Sequence, residues 1–333
     1  MNYQTFGSTD LKISEIGFGA WAIGGPAMAG SIPIGWGPVH PSDARASLKM
    51  AADKGMNFFD TADFYGLGQS EALIGEVFGK DPSILVATKV GHRLDANENI
   101  LTNYSKEYII NACHESLRRL KRDTIDYYQL HTAKVSDLSK GDCIEAMEHL
   151  KETGKIRYWG VSLNTFHPEP EAQYLLDNNL GSGFQLVFNV INQKARPIIA
   201  EAEKNRFGII VRMPYQFGLL TGKFGMNSHF EQTDHRSFRL RRSILEILIP
   251  ELEPLWKIAA KYQVSPALLS LSYILSIAGI STVIPGIRTP NQVELNTVAP
   301  IKLDQKDLDL ISTMYEKRFS RILEFLESEE LKS

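Results

Sequence analysis

At 333 residues, with 43% hydrophobic and 23% charged residues, the chain can fill two domains or one α/β barrel of roughly 250 residues with insertions. A formal charge of −3 gives no electrostatic reason to expect nucleic acid or another polyanion, and the sequence predicts neither a nucleic-acid nor a membrane partner. MNYQTFGSTD lacks the pattern of a secretory signal, Ser270, Ser272 and Ser276 break the most apolar stretch, and Cys113 and Cys143 form no disulfide framework, so the expectation is a soluble cytoplasmic protein.

In chain order, alternation of Tyr3 and Thr5, then Leu11 and Ile13, around Gly7-Ser8-Thr9-Asp10 predicts an N-terminal β-hairpin. From Glu15 onward short apolar runs alternate with amphipathic stretches, one βα unit per roughly 30 residues. Strands are predicted at 16–18, 57–59, 84–88, 127–130, 158–161, 184–187, 209–211 and 282–284. Helices are predicted from Pro41 to about Lys54 and at 70–79, 142–153, 170–178, 195–205, 266–277 and 289–298. Another is capped by Ser105 and runs to Leu120, with Ile109, Ile110, Cys113, Leu117 and Leu120 on one face. The charged tail from Asp304 to the last residue reads as helical, its buried face formed by Leu308, Ile311, Tyr315 and Ile322.

Eight strands with crossover helices predict an α/β fold, a (β/α)8 TIM barrel occupying 1–333 as a single domain. Two long insertions, Gly25 to His40 after the first strand and Thr221 to Pro250 after the seventh, are placed to cover or shape a site.

In such barrels the working residues sit at the carboxyl ends of strands. There the sequence puts Asp60, Lys89, His131, Ser162, Gln185 and Arg212, with Tyr65 on the loop that follows Asp60. Together Asp60, Tyr65, Lys89 and His131 make sense as a proton-transfer device. A phenol is ordinarily a weak acid near pH 10, and a nearby cation favours its ionised form. Lys89 is the candidate cation, Asp60 holds it, and His131 can donate to a carbonyl oxygen as charge develops there. Taken alone, Lys89 is a surface lysine at a strand end or the Schiff-base lysine of an aldolase on the same barrel. Trp36 is a substrate-facing aromatic or a loop anchor, and Trp21 is a second candidate substrate contact. Arg236, Arg239, Arg241 and Arg242 read as a solvated face or an anion clamp. The histidines His40, His92, His167, His229 and His235 show no metal-ligand spacing, and no metal is expected.

The chain resembles the aldo-keto reductase superfamily over nearly its whole length. The matching motifs are Gly17-Phe18-Gly19, Asp60-Thr61-Ala62 through Tyr65-Gly66, Ser70-Glu71, Thr88-Lys89, Ser116-Leu117 to Leu120, Asp126-Tyr127 to His131 and Gly160-Val161-Ser162. Downstream come Gln185 to Asn189, Pro214 with Gly218 to Lys223, and Pro285-Gly286 to Asn296. The resemblance implies reduction of an aldehyde or ketone, sugar-derived carbonyls included, by a tetrad of Asp60, Tyr65, Lys89 and His131 with Tyr65 as general acid. It also implies an extended NAD(P)H without a dinucleotide-binding fold. Ser162, Asn164 and Gln185 would hold the carboxamide, with Arg212 at the nicotinamide-stacking position. Pro214, Gly218, Lys223, Gly286, Arg288, Gln292 and Asn296 complete the implied nucleotide contacts. Leu163 intervenes before Asn164, and Leu295-Asn296 replaces a Glu-Asn pair, which are departures from the family pattern. Arg288 suits a 2′-phosphate, so NADPH is expected, with NADH left open. An alternative is a nucleotide-binding, redox-sensing protein similar to the β subunits of potassium channels. Neither the substrate nor the oligomeric state is legible.

Overall fold

The computed structural model describes residues 1–330, and its centre is an 8-stranded parallel sheet. The strands, in both chain and spatial order, are Phe18–Gly19, Phe58–Asp60, Leu85–Val90, Ile125–His131, Ile156–Ser162, Gly183–Val187, Gly208–Arg212 and Thr282–Ile284. Bridges Ile16 to Val283 and Gly19 to Gly286 join the first strand to the last, with Gly17 N and Gly19 N donating to Val283 O and Pro285 O at 2.9 Å each. This is the expected (β/α)8 barrel. Its strands are nearly all buried because helices cover the outside and side chains fill the inside.

The hairpin Tyr3–Thr5 and Lys12–Ser14 forms as expected and closes the amino-terminal end of the barrel. Phe6, Leu11 and Ile13 enter the barrel floor beside Phe58, Tyr127, Ile210 and Ile284. Phe6 meets Tyr127 edge to face at 4.9 Å. Room for that ring comes from missing side chains: a Cβ on Gly208 would stand 2.3 Å from the Phe6 ring, and one on Gly160 2.0 Å from the Tyr127 hydroxyl. With the floor plugged, the carboxyl ends of the strands are the face left for a site.

Several expectations need correction. Gln185 lies in the middle of Gly183–Val187 rather than at its end, and Lys89 is followed by one more strand residue, Val90. Ser105 precedes the helix Lys106–Leu120 but makes no side-chain cap bond. The first insertion holds a small hairpin, Met28–Ala29 with Ile32–Pro33, and another, His92–Leu94 with Ile100–Thr102, follows the third barrel strand. The second half of the seventh insertion is mostly helical, with Arg236–Arg239 and Arg242–Glu251, followed by Glu253–Lys261. Its run of arginines and Pro250 reads as a loop in sequence, yet Ile244, Leu245 and Leu248 fall at helical spacing and are buried. In the tail, Gln305–Met314 and Ser320–Glu330 are joined by a π turn, Tyr315–Phe319. The wider turn shifts the buried face, so Ile311 is followed inward by Met314, Phe319 and Leu323 instead of Tyr315 and Ile322. The last three residues of the predicted tail helix lie outside the described residues. No helix among the described residues is long and apolar enough to cross a membrane.

The floor plug should carry stability. Phe6→Ala empties a buried ring site and should lower the unfolding free energy by about 3–5 kcal/mol in urea titrations; a change of a few tenths would show that the hairpin is dispensable.

Candidate active site

Asp60 ends a strand whose three residues are all buried, and it pairs in register with Ala87 beside Lys89. The result is an ion pair with both side chains 1% exposed. Lys89 Nζ donates to Asp60 Oδ1 at 2.6 Å and Oδ2 at 2.7 Å, and to the Thr61 carbonyl at 2.7 Å. Its remaining neighbour is the Tyr65 hydroxyl at 3.3 Å. The ammonium also lies 4.7 Å from the centre of the Tyr65 ring. Tyr65 is held there by its loop: Gly66 has φ 58°, and a Cβ on it would stand 2.2 Å from the Gly24 carbonyl oxygen.

Gln185 was expected to face a carboxamide, but its Nε2 donates to both Asp60 oxygens at 2.9 Å, while Ser162 Oγ donates weakly to its Oε1 at 3.4 Å. Burial pushes the Asp60 carboxyl up, and Lys89, then Gln185, and the more distant Arg212 charge oppose this. Asp60 is therefore held from two strands.

His131 lies beside this pair. Its ring centre is 6.1 Å from that of Tyr65 and stacks on His92 at 4.3 Å. Burial, then His92, Lys89 and Arg212, hold the imidazole well below its ordinary range, so it is neutral and can donate one N–H. Its buried Nδ1 has no partner among the described residues. Thr132, next in the chain, has φ 63°, unusual for a β-branched residue, and is held by its N–H to Ser162 O at 2.9 Å and by His92 Nε2 at 2.9 Å from its Oγ1. His92 thus positions the backbone beside His131.

The two insertions meet over Tyr65. Trp21 stacks on Tyr65 at 5.7 Å and on His235 at 4.5 Å, while Trp36 meets the edges of Trp21 at 5.5 Å and His235 at 4.4 Å. A backbone bridge from Trp36 to Asp234 joins the loops. Arg236 is paired with Asp234 at 2.6 Å and lies over the Trp36 and Phe230 rings at 4.8 Å each, so this arginine belongs to the loop contact rather than to a solvated face.

The remaining candidates fall into two groups. Asn164 Oδ1 accepts from Phe166 N and His167 N at 2.8 and 3.0 Å, and Asn296 Oδ1 accepts from the Tyr215 hydroxyl, so both amides are already engaged in local structure. Gln292 Oε1 accepts from Arg288 N at 2.8 Å. Pro214 is buried, and Gly218, at φ 99°, turns the chain against Phe224. Arg212 donates to Leu163 O at 3.1 Å and Thr165 Oγ1 at 3.2 Å. By contrast Lys223 and Gly286 are exposed, a Cβ on Gly286 would meet nothing within 4 Å, and Arg288 makes one long bond, 3.4 Å, to Trp36 O. Cationic side chains beside accessible backbone fit a phosphate-bearing ligand.

The sequence profile of the Aldo/keto reductase family matches residues 15–316. The chain is 30% identical over 308 residues to the uncharacterized oxidoreductase YqkF of Bacillus subtilis (strain 168), covering 90% of this chain and 91% of that one. It is 27% identical over 331 residues to the NADH-specific methylglyoxal reductase of Escherichia coli (strain K12), covering 93% and 97%. Among solved structures, aldo-keto reductase AKR11C1 from Bacillus halodurans in its holo form superposes with a TM-score of 0.76 at 26% identity, covering 94% and 96%.

The buried imidazoles carry a pH signature. Burial pushes His92 down to about 4 and His235, fully buried and flanked by Arg239 and Arg236, to about 2, from 6.5. As pH drops below 6.5 the unfolded chain gains protons that these folded rings do not take up, so stability present above 6.5 is lost on acidification. The loss approaches about 1.4 kcal/mol per pH unit per buried histidine. Urea unfolding at about pH 7.5 and about pH 5 should show a shallower pH dependence in His235→Phe than in the wild type; equal dependences would mean that His235 is not held neutral.

Proposed function

Since this chain belongs to the Aldo/keto reductase family, we propose that it is an NADPH-dependent reductase of small aldehydes or ketones, sugar-derived carbonyls included, acting in the cytoplasm with Tyr65 as general acid. The observation that carries this reading is the Lys89 ammonium, lodged between the Asp60 carboxylate and the Tyr65 hydroxyl in a dry environment. When bound, the nicotinamide supplies hydride to the carbonyl carbon. Tyr65 Oη gives its proton to the carbonyl oxygen, and Lys89 stabilises the negative charge that this leaves on the phenol. Neutral His131 donates its N–H to the same oxygen. Asp60, gripped by Lys89 and Gln185, fixes the ammonium rather than moving a proton.

For the nucleotide, Gln185 Nε2 is committed to Asp60, so its Oε1, with Ser162 Oγ, is what remains to meet a carboxamide. Asn164 can offer only its amide N–H groups, because its oxygen closes the loop. Arg212 stacks on the nicotinamide in this reading, and Pro214, Gly218, Lys223, Gly286, Gln292 and Asn296 line the rest. Arg288, with one long bond to a carbonyl, has hydrogen-bonding capacity for a 2′-phosphate, which favours NADPH over the NADH named for the Escherichia coli relative. The complete tetrad favours catalysis over the regulatory reading of a channel β subunit.

A carbonyl panel followed by cofactor absorbance, with NADPH and NADH in parallel, tests this. Tyr65→Phe should lower kcat by about 10³-fold or more while nucleotide affinity changes little; undiminished turnover would remove Tyr65 as the acid.

A further inference from the structure

We propose that Trp36 Nε1–H and His235 Nε2–H form a paired donor site in the loops above Tyr65, and that it binds a second, acceptor-only oxygen group, a carbonyl or carboxylate, carried by the substrate. The inference rests on the reductase reading for the identity of the reacting end, but the donor pair is argued from its own geometry. Both nitrogens are buried and have no hydrogen-bond partner among the described residues. Their rings are 4.4 Å apart, and both meet Trp21, which stacks on Tyr65.

The proton on His235 can be assigned by elimination. Arg239 Nη1 lies 3.0 Å from His235 Nδ1, and a guanidinium has only donors, so Nδ1 must accept. The ring is neutral, being fully buried between cations, so its one proton sits on Nε2. The Trp36 indole nitrogen is always a donor. Two buried N–H groups thus sit on rings whose centres are 4.4 Å apart, and neither has an acceptor among the described residues, which costs stability unless an acceptor enters from outside.

The rings are placed by backbone rather than by their own torsions. His235 N donates to Gly35 O at 3.1 Å, Trp36 bridges to Asp234, and Asp234 Oδ1 caps Arg236 N at 2.9 Å. A hydroxyl oxygen could accept from both donors but would leave its own proton unpaired, because Trp36 has no acceptor and His235 Nδ1 is already taken by Arg239. A carboxylate or a second carbonyl meets the donors with nothing left over.

Calorimetric titration of the full chain with short aliphatic carboxylates, and with alcohols of equal length, reads this site without requiring turnover. It is run alone and with NADP⁺ or NAD⁺. Carboxylates should bind more tightly than the alcohols, and Trp36→Phe and His235→Phe, which keep an aromatic ring, should each weaken carboxylate binding by about tenfold or more. No carboxylate binding by the wild type, or equal binding in the wild type and both variants, overturns the inference. Carboxylate binding lost in both variants of a protein that reduces no carbonyl supports the donor pair and sinks the reductase reading alone.

Discussion

The Asp60–Lys89 ion pair is the constraint on which the site depends. Taking an ammonium and a carboxylate out of water is tolerable only if each is surrounded by matched partners. Here Lys89 finds both carboxylate oxygens and the Thr61 carbonyl within 2.7 Å, and Asp60 receives Gln185 from the opposite side of the barrel. Those partners come from the second, third and sixth strands, so a slip of one residue in any of them would leave a bare buried charge. The remaining direction open to the ammonium leads to the Tyr65 hydroxyl. An interaction that holds the strands in register is thereby also the one that prepares a phenol for proton transfer.

Neutrality of the neighbouring histidine follows from the same setting. Burial first, then His92, Lys89 and Arg212, disfavour a cation at His131, which leaves a ring able to donate one hydrogen bond. The loops add the other half of the environment. Trp21 stacks on Tyr65 and is itself packed by His235 and Trp36, so aromatic rings cover the tyrosine and shield the ion pair beneath it. Such an arrangement strengthens every electrostatic contact within it.

Much of this was legible in the chain. Asp60 and His131 announce themselves as polar residues closing apolar runs, Lys89 as one set just before the end of such a run, and periodicity locates the barrel strands because a strand buried on both faces leaves little choice of residue. Contacts between distant segments left no local signal. Gln185 reads as a strand-end amide, and only the closed barrel brings it against Asp60. Asn164 and Asn296 look like ligands in a linear motif, whereas folding commits their oxygens to a loop and to Tyr215. His235 carries no pattern at all, since its meaning comes from Trp21 and Trp36, some 200 residues earlier. The π turn at Tyr315–Phe319 shifts a helical face in a way that a fixed period of 3.6 misses.

The central claim is that the buried pair acts through the tyrosine. A double-mutant cycle on kcat with Lys89→Met, Tyr65→Phe and the combined variant tests it most directly. If Lys89 acts through Tyr65, the double variant is no slower than Tyr65→Phe alone. If instead the two losses multiply, the residues contribute independently and the account is wrong.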